Sequence, residues 1–563
     1  MSAGKERIGS IIATAPSWPM AGRDSCGFGM LPKHVKLGAA PANRGGGLRR
    51  LLTRHRRFES CRGRMSDVTP TTAAAVPAEE DHRSRPKSKA FVEFITSKWA
   101  PRADLNVAPS PAAAYTVARR AALAERLPGA TLVIPAGPLK VRSNDTDYRF
   151  RPHTAFAHLT GLGTDQEPDA VLVIRSDATA TLYVRPLAAR DTEEFYADAR
   201  YGEFWVGARP SLADVTTLTG IEARHIDGLR NDLAADLETG APMCVITGAD
   251  PGVETLVEAT IAEVVGDAAA TWPFTNADLV RAAAEIRLIK DAYEIEQMRE
   301  AVARTVEGFE QVVRALPRAV AHRRGERVIE TAFESHARLE GYGVGYDTIA
   351  AAGENATILH WITNDGVVRD GELVLLDAGV EADSLYTADV TRTLPVNGKF
   401  SAVQRRVYQA VLDAADAGFA AAKPGAKFID VHNAAMKVIA ARLEEWGLLP
   451  VGVTAAESLT EDGQQHRRWM VHGTSHHLGL DVHDCAQARN ELYKDGVLEP
   501  GMVFTIEPGL YFKADDLAVP EEYRGIGVRI EDDVLLTADG CENLSAALPR
   551  DPDAVEAWMA SLR

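Results

Sequence analysis

Cysteine, aromatic rings and long apolar runs are all scarce in this sequence. Five cysteines in 563 residues (Cys26, Cys61, Cys244, Cys485 and Cys541) form no Cys-x-x-Cys pair and no dense framework. That excludes a disulfide scaffold and a thiolate zinc site, and it suits a reducing compartment such as the cytoplasm. No uninterrupted apolar stretch approaches the ~18–20 residues that a membrane-spanning helix needs. The Arg49-Arg50 pair invites an export reading, but Arg54, Arg56 and Arg57 follow it with no apolar segment behind them. Excess positive charge is missing as well: 79 acids face 62 Lys plus Arg, a net charge of −17. The deficit is uneven. Residues 1–64 carry +10, and the remaining 499 carry −27. An acidic body argues against nucleic acid and anionic membrane surfaces as partners.

What remains is ordinary globular composition, 46% apolar and 25% charged, with length for several domains. Residues 1–90 read as a basic, Gly- and Pro-containing extension and linker without periodicity. A chain starting at Met65 is expected to keep full activity. Residues 91–278 alternate helices with short apolar strands, which predicts an α/β domain. The predicted elements are a helix over 115–127 stopped by Pro128-Gly129, strands at 130–134, 170–174 and 180–184, and another strand near 243–247. No glycine-rich nucleotide loop follows any of these strands. Residues 276–314 show near-helical apolar spacing (Ile286, Ile289, Tyr293, Ile295, Met298, Val302), with Arg287, Lys290, Asp291 and Glu294 assigned to the polar positions. Further helices are predicted over 401–422, 430–446 and 553–562. The catalytic region is expected to span 279–550, with a closing helix over 551–563.

The chemistry concentrates between residues 353 and 534. Leu373-Val-Leu-Leu-Asp377-Ala-Gly reads as a strand ending in a carboxylate, and Asp389 follows twelve positions later in Tyr386-Thr-Ala-Asp389-Val-Thr-Arg-Thr. Two strands on a short connection can lay both aspartates at one pocket. His472-Gly-Thr-Ser-His476-His-Leu-Gly-Leu-Asp-Val-His483 packs four histidines into twelve residues. Val503-Phe-Thr-Ile-Glu507-Pro-Gly ends a strand in a carboxylate. Gly525-Ile-Gly-Val-Arg529-Ile-Glu531-Asp-Asp places Arg529 and Glu531 on one face of a strand. Taken singly, each segment suits a turn, cap or filler residue. Taken together, four carboxylates and an imidazole would repel and desolvate one another unless a cation joined them. A pair of divalent ions answers that need, and sulfur-free, oxygen-rich ligation suits Mn²⁺, Zn²⁺, Co²⁺ or Fe²⁺. Two such ions ~3.5–4 Å apart can clamp both ends of a hydrolysis.

These strings resemble the catalytic domain of the pita-bread metallopeptidases, most closely the bacterial Xaa-Pro aminopeptidase (aminopeptidase P) branch. The likeness covers residues 280–545 and also rests on Glu285-Ile-Arg-Leu-Ile-Lys-Asp-Ala-Tyr-Glu-Ile, Ile358-Leu-His360-Trp and Thr505-Ile-Glu507-Pro-Gly-Leu-Tyr. A weaker likeness to the family's smaller domain lies in Ser143-Asn-Asp-Thr-Asp-Tyr-Arg-Phe-Arg-Pro and Leu159-Thr-Gly. The resemblance implies an α/β N-terminal domain of the creatinase/prolidase type followed by an α+β pita-bread catalytic domain. It also implies two divalent metal ions per subunit, Mn²⁺ first and Zn²⁺ or Co²⁺ next. Asp377, Asp389, His476, Glu507 and Glu531 would hold them, with Asp389 and Glu531 bridging, and Glu507 doubling as general base. His360 and His483 take catalytic roles, and His472 and Arg529 substrate-binding ones, with Arg529 equally placed to brace the metal ligands. The implied substrate is a peptide with N-terminal Xaa-Pro, and the implied assembly is a homodimer or homotetramer. Prolidase, restricted to dipeptides, is the alternative enzyme, and a non-catalytic binding protein of the same fold is the alternative class.

Three departures from the family pattern stand out. The Asp377–Asp389 interval is one residue longer than the family's usual spacing, predicting an insertion in the connecting loop. His477 replaces a common aromatic, which is expected to alter the pocket wall. Ala157-His158-Leu159 stands where some relatives carry Trp.

Overall fold

The computed structural model describes residues 86, 88–102 and 105–563, and Ser84–Arg563 form one compact unit. The readings made for the basic extension, Met65, Cys26 and Cys61 lie outside the described residues.

The first part of this unit is a five-stranded mixed sheet. Its strands run in the order Glu222–His225, Ala180–Val184, Val171–Ile174, Thr131–Pro135, Met243–Val245. Val171–Ile174 and Ala180–Val184 form a hairpin. Asp177 sets its turn by accepting from Thr179 N and Thr179 Oγ1, with Ala178 at φ +62°. Both edge pairings are parallel, Thr131 opposite Met243 and Thr181 opposite Glu222. The three central strands are apolar on both faces because helices cover each side. The helix predicted over 115–127 is Ala113–Arg126, and it ends where Gly129 takes φ +85°.

The continuous helix predicted over 276–314 is instead two helices, Asn276–Glu285 and Ala292–Val320. Thr275 with Asp278 caps the first, and Asp291 with Glu294 caps the second. Arg287 and Lys290, assigned to the solvent face, are each only 4% exposed, whereas the apolar Ile289 is 41% exposed. A buried carboxylate reverses the pattern: Arg287 Nε lies 3.0 Å from Asp484 Oδ1, and Lys290 Nζ 3.2 Å from Asp484 Oδ2. Glu294 is also buried, accepting from Tyr386 Oη. The first of the two helices spans the boundary expected at 278–279 and sends Leu279, Ala282 and Ala283 into the N-terminal core.

The remainder is built from two helical hairpins, each backing antiparallel strands. Ala292–Val320 and Gly325–Glu340 cover one three-stranded sheet, ordered Ile349–Ala352, Leu373–Ala378, Val390–Pro395. The closing helix, Pro552–Leu562, adds Val555 and Met559 to the same core. Ala402–Ala421 and Phe428–Glu445 pack over the strands Gly509–Phe512 and Ile526–Arg529. Ser401 caps the former in a box with Gln404, and Gly447 at φ +69° follows the latter. A third sheet pairs Val503–Ile506, Asp532–Thr537 and Gly540–Asn543. A bridge between Thr391 and Glu531 joins the halves at the floor of the main cavity. Among the described residues, no helix is long and apolar enough to cross a membrane.

Candidate active site

Asp377 sits near the end of Leu373–Ala378, its Cα opposite Thr391 of the neighbouring strand. Asp389 directly precedes that neighbour. The chain between them crosses so tightly at Gly379 that a Cβ there would lie 1.6 Å from Ala388 O. Only glycine permits the crossing. The connection includes Val380–Glu381, which pairs with Gly343–Val344, and Val380 N donates to Thr305 Oγ1 at 2.9 Å. Tyr346 Oη lies 2.6 Å from Asp377 Oδ1 and 2.5 Å from Asp389 Oδ1, so one phenol proton serves both aspartates.

The histidine segment zips onto Val503–Ile506. Leu478 N donates to Val503 O, Thr505 N to His476 O, and Glu507 N to Thr474 O. Strand-like alternation then separates neighbours, with His476 facing the cavity and His477 facing away. His477 is buried, stacked on Phe428 at 4.7 Å and 12°, with Tyr493 against its edge. It does not shape the pocket wall as expected; the substituted ring belongs to the core, where burial pulls its pKa down to about 3 and keeps it neutral. His158 likewise points inward, its Nε2 3.5 Å from Glu294 Oε1.

A cavity of about 500 Å³ collects all nine residues singled out in the sequence: His360, Asp377, Asp389, His472, His476, His483, Glu507, Arg529 and Glu531. His476 Nε2 lies 3.3 Å from Asp389 Oδ2 and 3.9 Å from Glu507 Oε1. Its Nδ1 sits 3.2 Å from His477 O, a contact that places the proton there and leaves Nε2 as the lone-pair side. Glu531 Oε2 accepts from Thr391 Oγ1 at 2.7 Å. Arg529 Nη2 is in close contact with Asp377 Oδ2, its Nε reaches Thr391 Oγ1 at 3.1 Å, and its Nη1 reaches Tyr511 Oη at 3.1 Å. Every branch of that guanidinium is engaged by the cluster, which is the bracing arrangement. His472 spans Glu507 Oε2 (3.4 Å) and Tyr511 Oη (2.8 Å). His360 and His483 are exposed at the rim, and the His483 ring stands edge-on to His476 at 4.4 Å.

The electrostatics describe a site that needs cations. Burial, then the charges of Asp389, Glu507 and Asp377, push the Glu531 carboxyl far above its ordinary range. Burial also raises Asp377, against the pull of Arg529. Asp389 and Glu507 stay low despite burial, because His476 attends the first and His472 the second. Burial depresses His476, but the hydrogen bond and charge of Asp389 outweigh it and raise its pKa to about 9. The buried charges therefore favour protons on Glu531 and His476, where a bound cation would compete with them. Donor atoms of Asp389, His476 and Glu531 lie within 4.8 Å of one another, and this hard, oxygen-rich set with one imidazole fits divalent metal ions.

Three participants went unread in the sequence: Tyr346, Thr391 and Tyr511. Thr391 carries a signal, standing two positions past Asp389 and hence on the same strand face. Tyr346 and Tyr511 carry none that spacing could reveal.

Comparison with known proteins follows the same division of the chain. Residues 296–538 match the model of metallopeptidase family M24, and residues 116–244 match that of the aminopeptidase P N-terminal domain. A Streptomyces coelicolor protein named Xaa-Pro aminopeptidase 1 is 51% identical, over 84% of this chain and 93% of its own. The structure of a Pseudomonas aeruginosa aminopeptidase superposes with TM-score 0.69 at 30% identity, covering 80% of this chain and 98% of that one. Zinc-substituted Escherichia coli aminopeptidase P in complex with product gives TM-score 0.69 at 32% identity, covering 81% and 99%. The two-part fold expected from the resemblance is the one found.

Proposed function

The chain belongs to metallopeptidase family M24, and on that premise we propose that it is a metal-dependent Xaa-Pro aminopeptidase. It hydrolyses the bond between an N-terminal residue and a following proline. One observation carries the reading: four carboxylates and an imidazole from five separate segments converge in a single cavity, with two further histidines at its mouth. Asp377, Asp389, His476, Glu507 and Glu531 would hold two divalent ions, for which the oxygen-rich donor set favours Mn²⁺ over softer choices. When bound, such ions supply Lewis-acid polarisation of the scissile carbonyl and lower the pKa of water.

The protein's own groups do the rest. Glu507, kept ionised by His472 and His476, accepts the proton of the attacking water. Partial desolvation by the cavity wall, with the neighbouring His476 charge, keeps the rim His483 imidazole below its ordinary pKa, so at neutral pH it is an uncharged hydrogen-bond donor. From the rim, His360 and His483 donate to the developing oxyanion. Proline nitrogen leaves only after protonation, and Glu507 is placed to return the proton it took. Arg529 and Tyr511 brace Asp377 and His472, while Tyr346 ties the two aspartates together. The substrate's free amine meets the remaining carboxylate charge, which enforces action at the chain terminus.

The three described cysteines are unpaired, in keeping with a cytoplasmic location, and family likeness supports a homodimer or homotetramer. Hydrolysis of Xaa-Pro-Xaa and Xaa-Pro peptides by metal-reconstituted enzyme tests the reading, with Glu507→Gln alongside. Turnover of the tripeptide and its loss in the variant are expected. Cleavage of dipeptides alone would point to prolidase, and full activity in Glu507→Gln would refute the mechanism.

A further inference from the structure

Beyond the metal-binding cavity lies a second one of about 320 Å³, and its walls extend the first. Leu359 lines both. The remaining walls are the next residues outward along segments that carry catalytic groups. Leu359 directly precedes His360, Trp469 and Val471 precede His472, and Tyr511 and Lys513 follow Glu507 on the same run of chain. Tyr511 forms the partition, since its Oη touches His472 Nε2 and Arg529 Nη1, both lining the inner cavity, while the residue also lines the outer one.

The groove wall combines apolar surface with one uncommitted cation. Leu359, Val471 and the Trp469 and Tyr511 rings supply the apolar part. Arg468 is spent on Asp516, at 2.7 and 3.0 Å, and Trp469 Nε1 donates to the same carboxylate. Lys513 differs. Its Nζ has a single long contact, 3.4 Å from Thr357 O, and no carboxylate among the described residues lies within 4.0 Å. Asp515 is the other unpaired charge on the lining and is exposed.

We propose that this outer groove receives the substrate residues that follow proline, and that Lys513 binds a carboxylate they carry. The proposal rests on the aminopeptidase reading above. An aminopeptidase fixes its substrate by the amine, so the rest of the peptide must leave the inner cavity, and a continuous groove gives it a path. Each extended residue advances the chain about 3.3–3.6 Å, so the length of a short peptide decides whether its C-terminal carboxylate reaches Nζ. An acidic side chain at the same distance supplies the same chemistry.

The test is a length series of Xaa-Pro-(Ala)n peptides, each as free acid and as C-terminal amide, with wild type, Lys513→Met and Lys513→Glu. For one length, wild type should favour the acid over the amide by about two- to fivefold in kcat/KM, the worth of one charge pair at an exposed lysine. The ratio should fall to near one in Lys513→Met and invert in Lys513→Glu. Because each ratio is taken within one protein, a general loss of activity or stability does not move it. An amidated peptide with Glu at the responsive position separates the sources: recovery of the preference assigns the contact to a side chain as well as to the terminus. Equal acid and amide rates at every length, a ratio unchanged in Lys513→Met, or preference for a Lys-bearing peptide through Asp515 would each overturn the groove assignment alone. Absence of hydrolysis for every Xaa-Pro peptide would overturn both it and the reading beneath it.

Discussion

Glu326 offers the sharpest test of how the rim histidine His360 is held. It stands on the first turn of Gly325–Glu340, is fully buried, and forms no ion pair among the described residues. Four donors converge on its carboxylate: Ala352 N and Asn355 Nδ2 on Oε1, both at 2.8 Å, then Trp361 Nε1 at 2.8 Å and Gly366 N at 2.7 Å on Oε2. These fasten both ends of the segment that carries His360. In Glu326→Gln one oxygen becomes an amide donor facing donors. The cheapest accommodation puts the new NH2 at the Oε1 side and turns Asn355 so that its carbonyl accepts from it, which still strands Ala352 N. One orphaned buried donor costs about 1–3 kcal/mol, and exchanging a charged for a neutral acceptor at the other contacts adds to it. Relief of a buried charge offsets part, leaving about 2–4 kcal/mol of destabilisation. Two assays read it. Denaturation should show the stability loss, and the Trp361 indole signal of ¹⁵N-labelled protein should shift, with kcat falling more than metal stoichiometry. A stability change under about 0.5 kcal/mol with an unmoved indole signal would refute the clamp.

Other outcomes follow from the same geometry. Asp484→Asn strips Lys290 of its buried counter-charge and leaves Arg287 only a 4.0 Å approach to Asp481, and should cost about 3–5 kcal/mol in denaturant unfolding. The two cations hold the Asp484 carboxyl well below its ordinary 3.8 despite burial, so its contribution is present above that value and is lost as pH falls through the depressed one; the wild-type advantage should be flat from neutral pH down to mild acid. Metal binding should release about one proton per subunit near neutral pH, from His476, whose metal-free pKa is raised to about 9, with Glu531, held well above the ordinary carboxylate range by burial and its acidic neighbours, adding to the release. Affinity should then climb with pH up to that region, and calorimetry in buffers of different ionisation enthalpy would expose the absence of release. Gly379→Ala should force the aspartate strands apart, costing about 3 kcal/mol or more and reducing bound metal measured by elemental analysis.

The cavity-lining set was legible because its carboxylates and histidines sit in short strings whose flanking glycines, prolines and period-2 spacing survive as strand ends. Caps behaved likewise: Ser401 and Gly447 mark helix limits within a residue or two. Failures came from contacts distant in sequence. Arg287 and Lys290 look solvent-facing by helical spacing and are drawn inward by a carboxylate nearly two hundred residues on. His477 looks like a pocket residue by adjacency, but strand alternation turns it away toward Phe428. Tyr346 depends on tertiary placement alone.

The loop between the two aspartates also constrains how the chain can be cut or recombined. Its Leu385 and Tyr386 pack in one cluster with Ala157, and its Glu381 accepts from Arg151 Nε at 2.7 Å. Arg151 Nη2 also holds Leu480 O, and Thr154 Oγ1 donates to Asp481 at 2.6 Å. The first half of the chain thus upholsters the backbone on which Asp389 and His483 hang, so the halves are not interchangeable modules. Excising the second half would strip the floor from beneath its own chemistry, and a chimaera with a relative's first half would need this arginine and threonine grafted with it.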